Sequence, residues 1–363
     1  MLLSIVIPTK NRFSTLIPVV KSILETLEGD YEVVIQDNSD DTDLLPTDIL
    51  NNDKVSYYHH LGHLPVSDNT ELAIGNATGK YILFIGDDDF VSPSVMEIIS
   101  EMELKDIDNL TYDAGHYWWN TVEFSQVNYY HDKERLWIPQ KVNKEINEKT
   151  SSLELEKYYS RGGVSIGSLP RVYHGITKKS VLEKIKKKTG HYVVGSCPDI
   201  SLAISLALVI EKFHVMKWPV TLYGASRGSG GGMTASKSHY AKIDDIPFLR
   251  DGIKERWDKN IPELWSERTI YPQTAIEVHQ MFGAMHHIDF YEMYAALFAY
   301  EPHLKHIWIE GYKKLTLKSK YRILIAKLAK KSIGQLYSKY KYKFRKLGYD
   351  VKTVSVKNIS SYL

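Results

Sequence analysis

Three carboxylates stand side by side at Asp87, Asp88 and Asp89, directly after the apolar run Tyr81–Ile85 and Gly86. Adjacent like charges repel, so something must offset them. A solvated turn or a helix cap is the plainest answer. Yet "SPSVMEIISEM" downstream has its own cap in Ser92, with Pro93 at the first helical position, and the triplet lies before it. A calcium loop of the EF-hand kind needs twelve residues with a central glycine, which this stretch lacks. A hard divalent cation suits the cluster best. Mg²⁺ or Mn²⁺ takes one or two protein carboxylates and fills its other positions with water and substrate phosphate.

Such a cluster must be held by regular elements, and the first hundred residues supply them. "LLSIVIPT" is a continuous β-rich apolar run, as expected of a strand buried on both faces. "STLIPVVKSILETLEG" has helical spacing, with Ser14 to cap it and Gly29 to end it. "YEVVIQD" and "KVSYYHH" read as strands, residues Glu71–Ala77 as a helix ending near Gly79, and "KYILFIGDDD" as a fourth strand. Strands alternating with helices predict an α/β fold with a mainly parallel central sheet flanked by helices. Ligands bind such sheets beyond the carboxyl ends of the strands. Three polar clusters fall there: Thr9-Lys10-Asn11-Arg12, "DNSDD" from Asp37, and the aspartate triplet. No G-x-G-x-x-G follows the first strand and no G-x-x-x-x-G-K-[ST] occurs, which argues against dinucleotide-binding and P-loop enzymes.

"SIVIPTKNR", "VVIQDNSDD" and "ATGKYILFIGDDDFVSP", in this order and spacing, resemble the nucleotide-sugar domain of family 2 glycosyltransferases of GT-A fold. The resemblance covers residues 1–110 well and 165–225 more loosely. It implies that Asp37 reads the uracil edge of a UDP-sugar, that Thr9 and Arg12 line the nucleotide pocket, and that Asp87 sits near the ribose. The resemblance assigns Mn²⁺ or Mg²⁺ to Asp88 and Asp89, Asp88 matching the metal-binding aspartate best and Asp89 being its neighbour on the sugar side. An aspartate commonly stands where this chain has Gly86, which leaves open which of the three touches metal. Asp68 and Asn69 either face the pocket or cap a helix. Inverting transfer needs a carboxylate to take the acceptor hydroxyl's proton. Asp199 in "CPDISLA" occupies the family's acidic position at a helix start, where the usual acidic pair is reduced to Pro198-Asp199. The bland alternative for Asp199 is an N-terminal carboxylate favoured by the helix dipole.

The resemblance divides the chain into a nucleotide-sugar half (1–110), an acceptor-side half (111–225), a flexible lid or linker (226–245) and a helical C-terminal region (246–363) that matches no family. "ASRGSGGGMTASKSH" has four glycines within five residues and reads as a mobile lid, with Ser226 or Arg227 reaching diphosphate oxygens, or as a plain linker. Aromatics between Asp113 and Pro170, among them Trp118, Trp119, Tyr129, Tyr130 and Trp137, either hold a sugar acceptor or pack the core. His116, His174 and His239 show no metal-ligand spacing and receive no role.

A lone Cys197, read as a small buried residue, fits a reducing, cytoplasmic setting. No apolar run is long enough to span a bilayer, the N-terminus lacks the features of a signal peptide, and no Q-x-x-R-W motif appears, so a processive polymer synthase is disfavoured. Residues 1–110 hold 6 Lys/Arg and 20 Asp/Glu, a net of −14, so the remainder carries +16 of the overall +2. Residues 311–349 contain 13 Lys/Arg and no acid. Their rough apolar stripe suits either an anionic membrane surface, which would make the protein peripheral on the inner face of the membrane, or a helix packed on the fold. Nucleic acid is not expected as a partner. The resemblance implies a nucleotide-sugar donor and a glycan or lipid-linked glycan acceptor. The same aspartates would also serve a nucleotidyltransferase or a non-catalytic nucleotide-sugar module, but "PTKNR" is not the glycine-rich basic loop of the former.

Overall fold

The computed structural model describes residues 1–41, 45–127, 131–139, 142–236, 240–246, 248–314, 316, 320–325, 327–328 and 349–353. The strands run β1 (Leu3–Thr9), β2 (Tyr31–Asp37), β3 (Val55–His59), β4 (Tyr81–Phe84), β5 (Phe90–Val91), β6 (Asn109–Tyr112), β7 (Gly115–Trp118), β8 (Arg135–Pro139), β9 (Asn143–Thr150), β10 (Gly175–Lys178), β11 (Lys212–Lys217) and β12 (Thr221–Ala225). Eight of them form one sheet in the order β3-β2-β1-β4-β10-β6-β11-β9. β3, β2, β1 and β4 are parallel, β10 runs against both its neighbours, and β11 is parallel to β6. A second sheet takes Tyr349–Thr353, β8, β7, β12 and β5 in that order. The fold is therefore α/β, with a central sheet flanked by helices and a helical C-terminal region, as the sequence suggests.

Register explains why the polar clusters converge. Thr9 lies beside Asp37, and Asp37 beside His59, so the carboxyl ends of β1, β2 and β3 are flush. β4 ends at Phe84 in the first sheet and β5 begins at Phe90 in the second. The five residues Ile85 to Asp89 cross from one sheet to the other, so the aspartates occupy the seam rather than extending the strand.

Several boundaries differ from expectation for local reasons. The helix predicted from Ser92 and Pro93 begins at Val95, because the Ser92 hydroxyl turns to the Ser94 hydroxyl and accepts the Ser94 N–H at 3.2 Å. The run "HVMKWPVTLYG", which reads as one strand, is two strands in different sheets, broken at Trp218-Pro219, where proline cannot continue a ladder. The segment 226–245, expected to be a flexible lid or linker, contains the helix Gly230–Ser236 and the short strand Ala241–Lys242. Two of its glycines serve close packing. A side chain on Gly232 would run into the Ser226 carbonyl, and one on Gly231 would press on the Ala225 side chain.

The C-terminal helices Glu267–Phe282, Phe290–Tyr300 and Lys305–Lys313 share one hydrophobic core with the sheet. That core runs from Val6 and Ile82 through Ile204 to Trp308 and Ile323. At its centre lies the helix Pro198–Val209, apolar on nearly every side and buried along most of its length. No described helix is long and apolar enough to cross a membrane. Most of the basic tail lies outside the described residues.

Candidate active site

The three aspartates have three different environments. Asp87 Oδ2 accepts hydrogen bonds from Thr9 Oγ1 at 2.5 Å and Arg12 Nε at 2.9 Å, and Arg12 also pairs with Asp87 Oδ1. Asp88 Oδ2 accepts from the Ser226 N–H at 2.9 Å and the Ser226 hydroxyl at 2.7 Å. Its Oδ1 has only a longer contact, 3.2 Å, with Arg12 Nη2. Asp89 is enclosed: Oδ2 accepts from Gly86 N–H at 2.6 Å and Tyr173 O–H at 2.9 Å, and Oδ1 from Gly224 N–H at 2.7 Å. His174 Nε2 lies 3.0 Å from Asp89 Oδ2 without hydrogen-bond geometry there, while His174 Nδ1 meets Thr221 Oγ1 at 2.6 Å.

These surroundings set the ionisation. Burial pushes Asp88 above the usual carboxylate range, and Asp89 adds to this; Arg12, Ser226 and Ser229 pull the other way without cancelling it. Burial also acts against ionised Asp89, but His174 and the backbone N–H groups of Gly224 and Gly86 more than compensate, so its carboxyl is held low. Asp89 is thus an ionised structural clamp joining the two sheets, with both oxygens engaged. Asp88 retains uncompensated demand for positive charge and one weakly engaged oxygen. Those features fit a single-carboxylate ligand for Mg²⁺ or Mn²⁺. Among the described residues no group of three or more His, Cys, Asp or Glu is arranged to hold a metal.

Asp199 stands on the first turn of the central helix, as the Pro198 start signal predicts. Its side chain is partly exposed, and no described hydrogen bond holds it. Burial drives its carboxyl up to about 6, reinforced by Asp89 and opposed by His174 and Arg171. The turn before it is anchored from the C-terminal region. Glu277 accepts the Ser196 N–H at 2.7 Å and the Ser196 hydroxyl, and Thr274 Oγ1 accepts the Cys197 N–H at 3.1 Å. Cys197 is half-buried, and burial pushes its thiol well above the ordinary range.

Other residues fall as follows. Asp37 is buried, its oxygens accepting from Ser39 N–H and Tyr57 O–H, each at 2.7 Å. Ser226 faces Asp88, whereas Arg227 turns outward toward Glu123 at 3.6 Å. Asp68 pairs with Arg250 at 2.7 Å, and Asn69 Nδ2 reaches the Thr9 carbonyl at 3.4 Å. Trp118 and Trp137 are buried in a small core with Val122 and Ala225. Trp119 is buried too, but donates from Nε1 to the Asp88 carbonyl at 2.8 Å. Tyr129, Tyr130 and His239 lie outside the described residues.

The segment Arg171-Val172-Tyr173-His174 escaped sequence reasoning, and His174 receives a place here that spacing alone denied it. The antiparallel β10 delivers the segment to the triplet from more than eighty residues away. Arg171 Nη1 donates to Tyr223 O–H at 2.9 Å, and the His174 ring leans on Tyr223 at 3.6 Å between centroids. His174 has φ of +50° and Asn11, between Thr9 and Arg12, +56°. Non-glycine residues seldom adopt that region, and it marks functional sites more often than chance.

An acidic seam at the carboxyl ends of parallel strands thus faces a carboxylate, Asp199, at the start of a buried helix. Residues 4–150 match the family described as Glycosyl transferase family 2. An uncharacterized glycosyltransferase of Rickettsia conorii is 34% identical over 98 residues, covering 26% of this chain and 16% of that protein. One from Rickettsia felis is 33% identical over 97 residues, with the same coverage. The chain thus spans about a sixth of the length of the curated relatives it matches. Among solved structures, S. aureus TarS 1–349 in complex with UDP-GlcNAc aligns with a TM-score of 0.49 and 16% identity, covering 90% of this chain and 79% of that one. Another S. aureus TarS structure gives 0.41 and 17%, covering 62% and 37%. At such identities no residue is equated between the chains.

Proposed function

We propose that this chain is a metal-dependent, inverting glycosyltransferase that moves a hexosyl or N-acetylhexosaminyl group from a UDP-sugar to a hydroxyl of a growing glycan. The observation that carries the reading is the pairing of two unequal carboxylate sites: the Arg12-linked Asp87 and Asp88 at the strand ends, and Asp199 with its carboxyl near 6. A general base works best with a pKa near the operating pH. Asp199 would accept the proton as the acceptor oxygen bonds to the anomeric carbon, and the bond from that carbon to the diphosphate would break. Mn²⁺ or Mg²⁺, held through Asp88, would supply Lewis-acid stabilisation of the departing diphosphate. Arg12, between Asp87 and Asp88, adds fixed positive charge there. Thr9 would line the nucleotide pocket, Asp87 would sit near the ribose and Asp37 would read the base. Ser226 would release Asp88 when the cation binds.

The acceptor class is a bacterial surface polysaccharide or a lipid-linked oligosaccharide, at the inner face of the cell membrane. A nucleotidyltransferase is disfavoured by the loop after β1, which folds around Asn11 without glycine. A thermal-shift panel of nucleotide sugars with Mn²⁺ tests the proposal. UDP-sugars should raise Tm more than ADP- or GDP-sugars, and only with the cation; no response to any of them would contradict it.

A further inference from the structure

Residues 320–325 and 327–328 form a helical segment that exposes apolar side chains as well as charged ones. Ile323, 1% exposed, plugs into the main core. The cations pack along its flanks, where Arg322 is itself 55% exposed. Arg322 stacks over Tyr291 at 4.2 Å and reaches toward Asp289 at 3.5 Å, Lys327 lies over Phe298 at 4.7 Å, and Lys320 donates to the Lys313 carbonyl at 2.9 Å. The outward face is apolar instead. Tyr321 is 67% exposed, Leu324 47%, Ile325 55% and Leu328 56%. Positions 321, 324, 325 and 328 share one helical face, so these side chains form a continuous stripe. A stripe of this kind in water marks an interaction surface.

We infer that this stripe docks the protein on an anionic lipid bilayer, with the apolar side chains entering the headgroup boundary and the flanking lysines meeting lipid phosphates. The charge around it selects that occupant. Residues 311–349 carry 13 Lys/Arg and no acid; Lys313, paired with Glu310 at 2.6 Å, and Lys314 are exposed. Long cationic side chains can slide their stems along apolar surface and present the charge to headgroups. The acidic residues 1–110, at net −14, would be repelled by the same surface, which favours one orientation. The purpose of docking rests on the transferase reading, since it brings the site to a lipid-linked acceptor; the docking itself needs neither donor nor acceptor.

Co-sedimentation with phosphatidylcholine vesicles, with and without phosphatidylglycerol, provides the test on the full chain. Wild-type protein should pellet with the anionic vesicles and not with the neutral ones. Binding should fall as salt rises from about 0.1 M to about 1 M, which shortens the Debye length from about 10 Å to about 3 Å. The triple variant Leu324→Glu, Ile325→Glu, Leu328→Glu alters only exposed positions. It should melt like wild type yet lose binding by about tenfold or more. Equal pelleting with both vesicle types, or undiminished binding by the variant, overturns the inference. So does sedimentation velocity showing a wild-type dimer that the variant dissolves while neither form binds vesicles; the stripe then faces a second copy of the chain. An enzymatically inert protein that binds vesicles as described would refute the transferase reading alone.

Discussion

Asp199 is the residue where position and environment say most about chemistry. Its folded pKa of about 6 lies above the ordinary carboxylate value near 3.9, so the native state holds this proton more tightly than the unfolded chain. That favours folding at low pH, and the benefit disappears as pH rises through about 6. At pH 7 to 8 the ionised carboxylate therefore opposes folding. Asp199→Asn should melt higher than wild type there, with the gap narrowing as pH falls below 6 and closing below about 4. The same change should cut transfer by roughly 100-fold or more and leave UDP affinity intact. Wild-type transfer should itself rise with pH through an apparent pKa near 6. Near-normal turnover in the variant would remove Asp199 from the mechanism. Asp199 was legible in the sequence because Pro198 and the apolar run after it announce a helix start. The triplet was legible because repulsion between neighbours needs no tertiary knowledge. Arg171, Tyr173 and His174 were not, since their roles arise from a strand pairing between distant segments that no local spacing encodes. The different duties of Asp88 and Asp89 were equally hidden, because Gly224, Tyr173 and Ser226 decide them.

Strands and helices of the first half were readable from apolar continuity and helical period, and β2 falls where "YEVVIQD" puts it. The glycine-rich stretch was ambiguous because a missing side chain signals either freedom or crowding. Gly224 shows the crowded case. A side chain there would collide with the Asp88 carbonyl, and its N–H is needed by Asp89. The helix Glu267–Phe282 was harder still. It buries Gln273, Thr274 and Glu277, so its pattern is neither amphipathic nor apolar. Those polar groups hold the turn that presents Asp199. Glu277→Ala should leave the Ser196 N–H and hydroxyl unsatisfied, at a cost of about 1–3 kcal/mol. Transfer should fall in kcat while the UDP dissociation constant stays within about twofold, and Glu277→Gln, which can still accept one bond, should recover part of the loss. If both constants change together, or the variant differs only in melting temperature, Glu277 has no part in positioning the base.

At the scale of the whole molecule, charge is segregated with purpose: −14 on residues 1–110 and +16 on the rest. A diphosphate brought to the acidic half would meet repulsion unless a cation came with it. Arg12 lies at the seam, but it is shared between Asp87 and Asp88, and Asp88 is still pushed up by burial. The account's central claim is that Asp88 admits the nucleotide through a divalent cation. Titration calorimetry of UDP into wild-type protein, with Mn²⁺ and with EDTA, and into Asp88→Ala with Mn²⁺, tests this most directly. The account predicts tight binding only in the first case, weakened by about tenfold or more in the other two, the scale expected when a charged partner is removed from a buried site. Equal affinity in all three would contradict it.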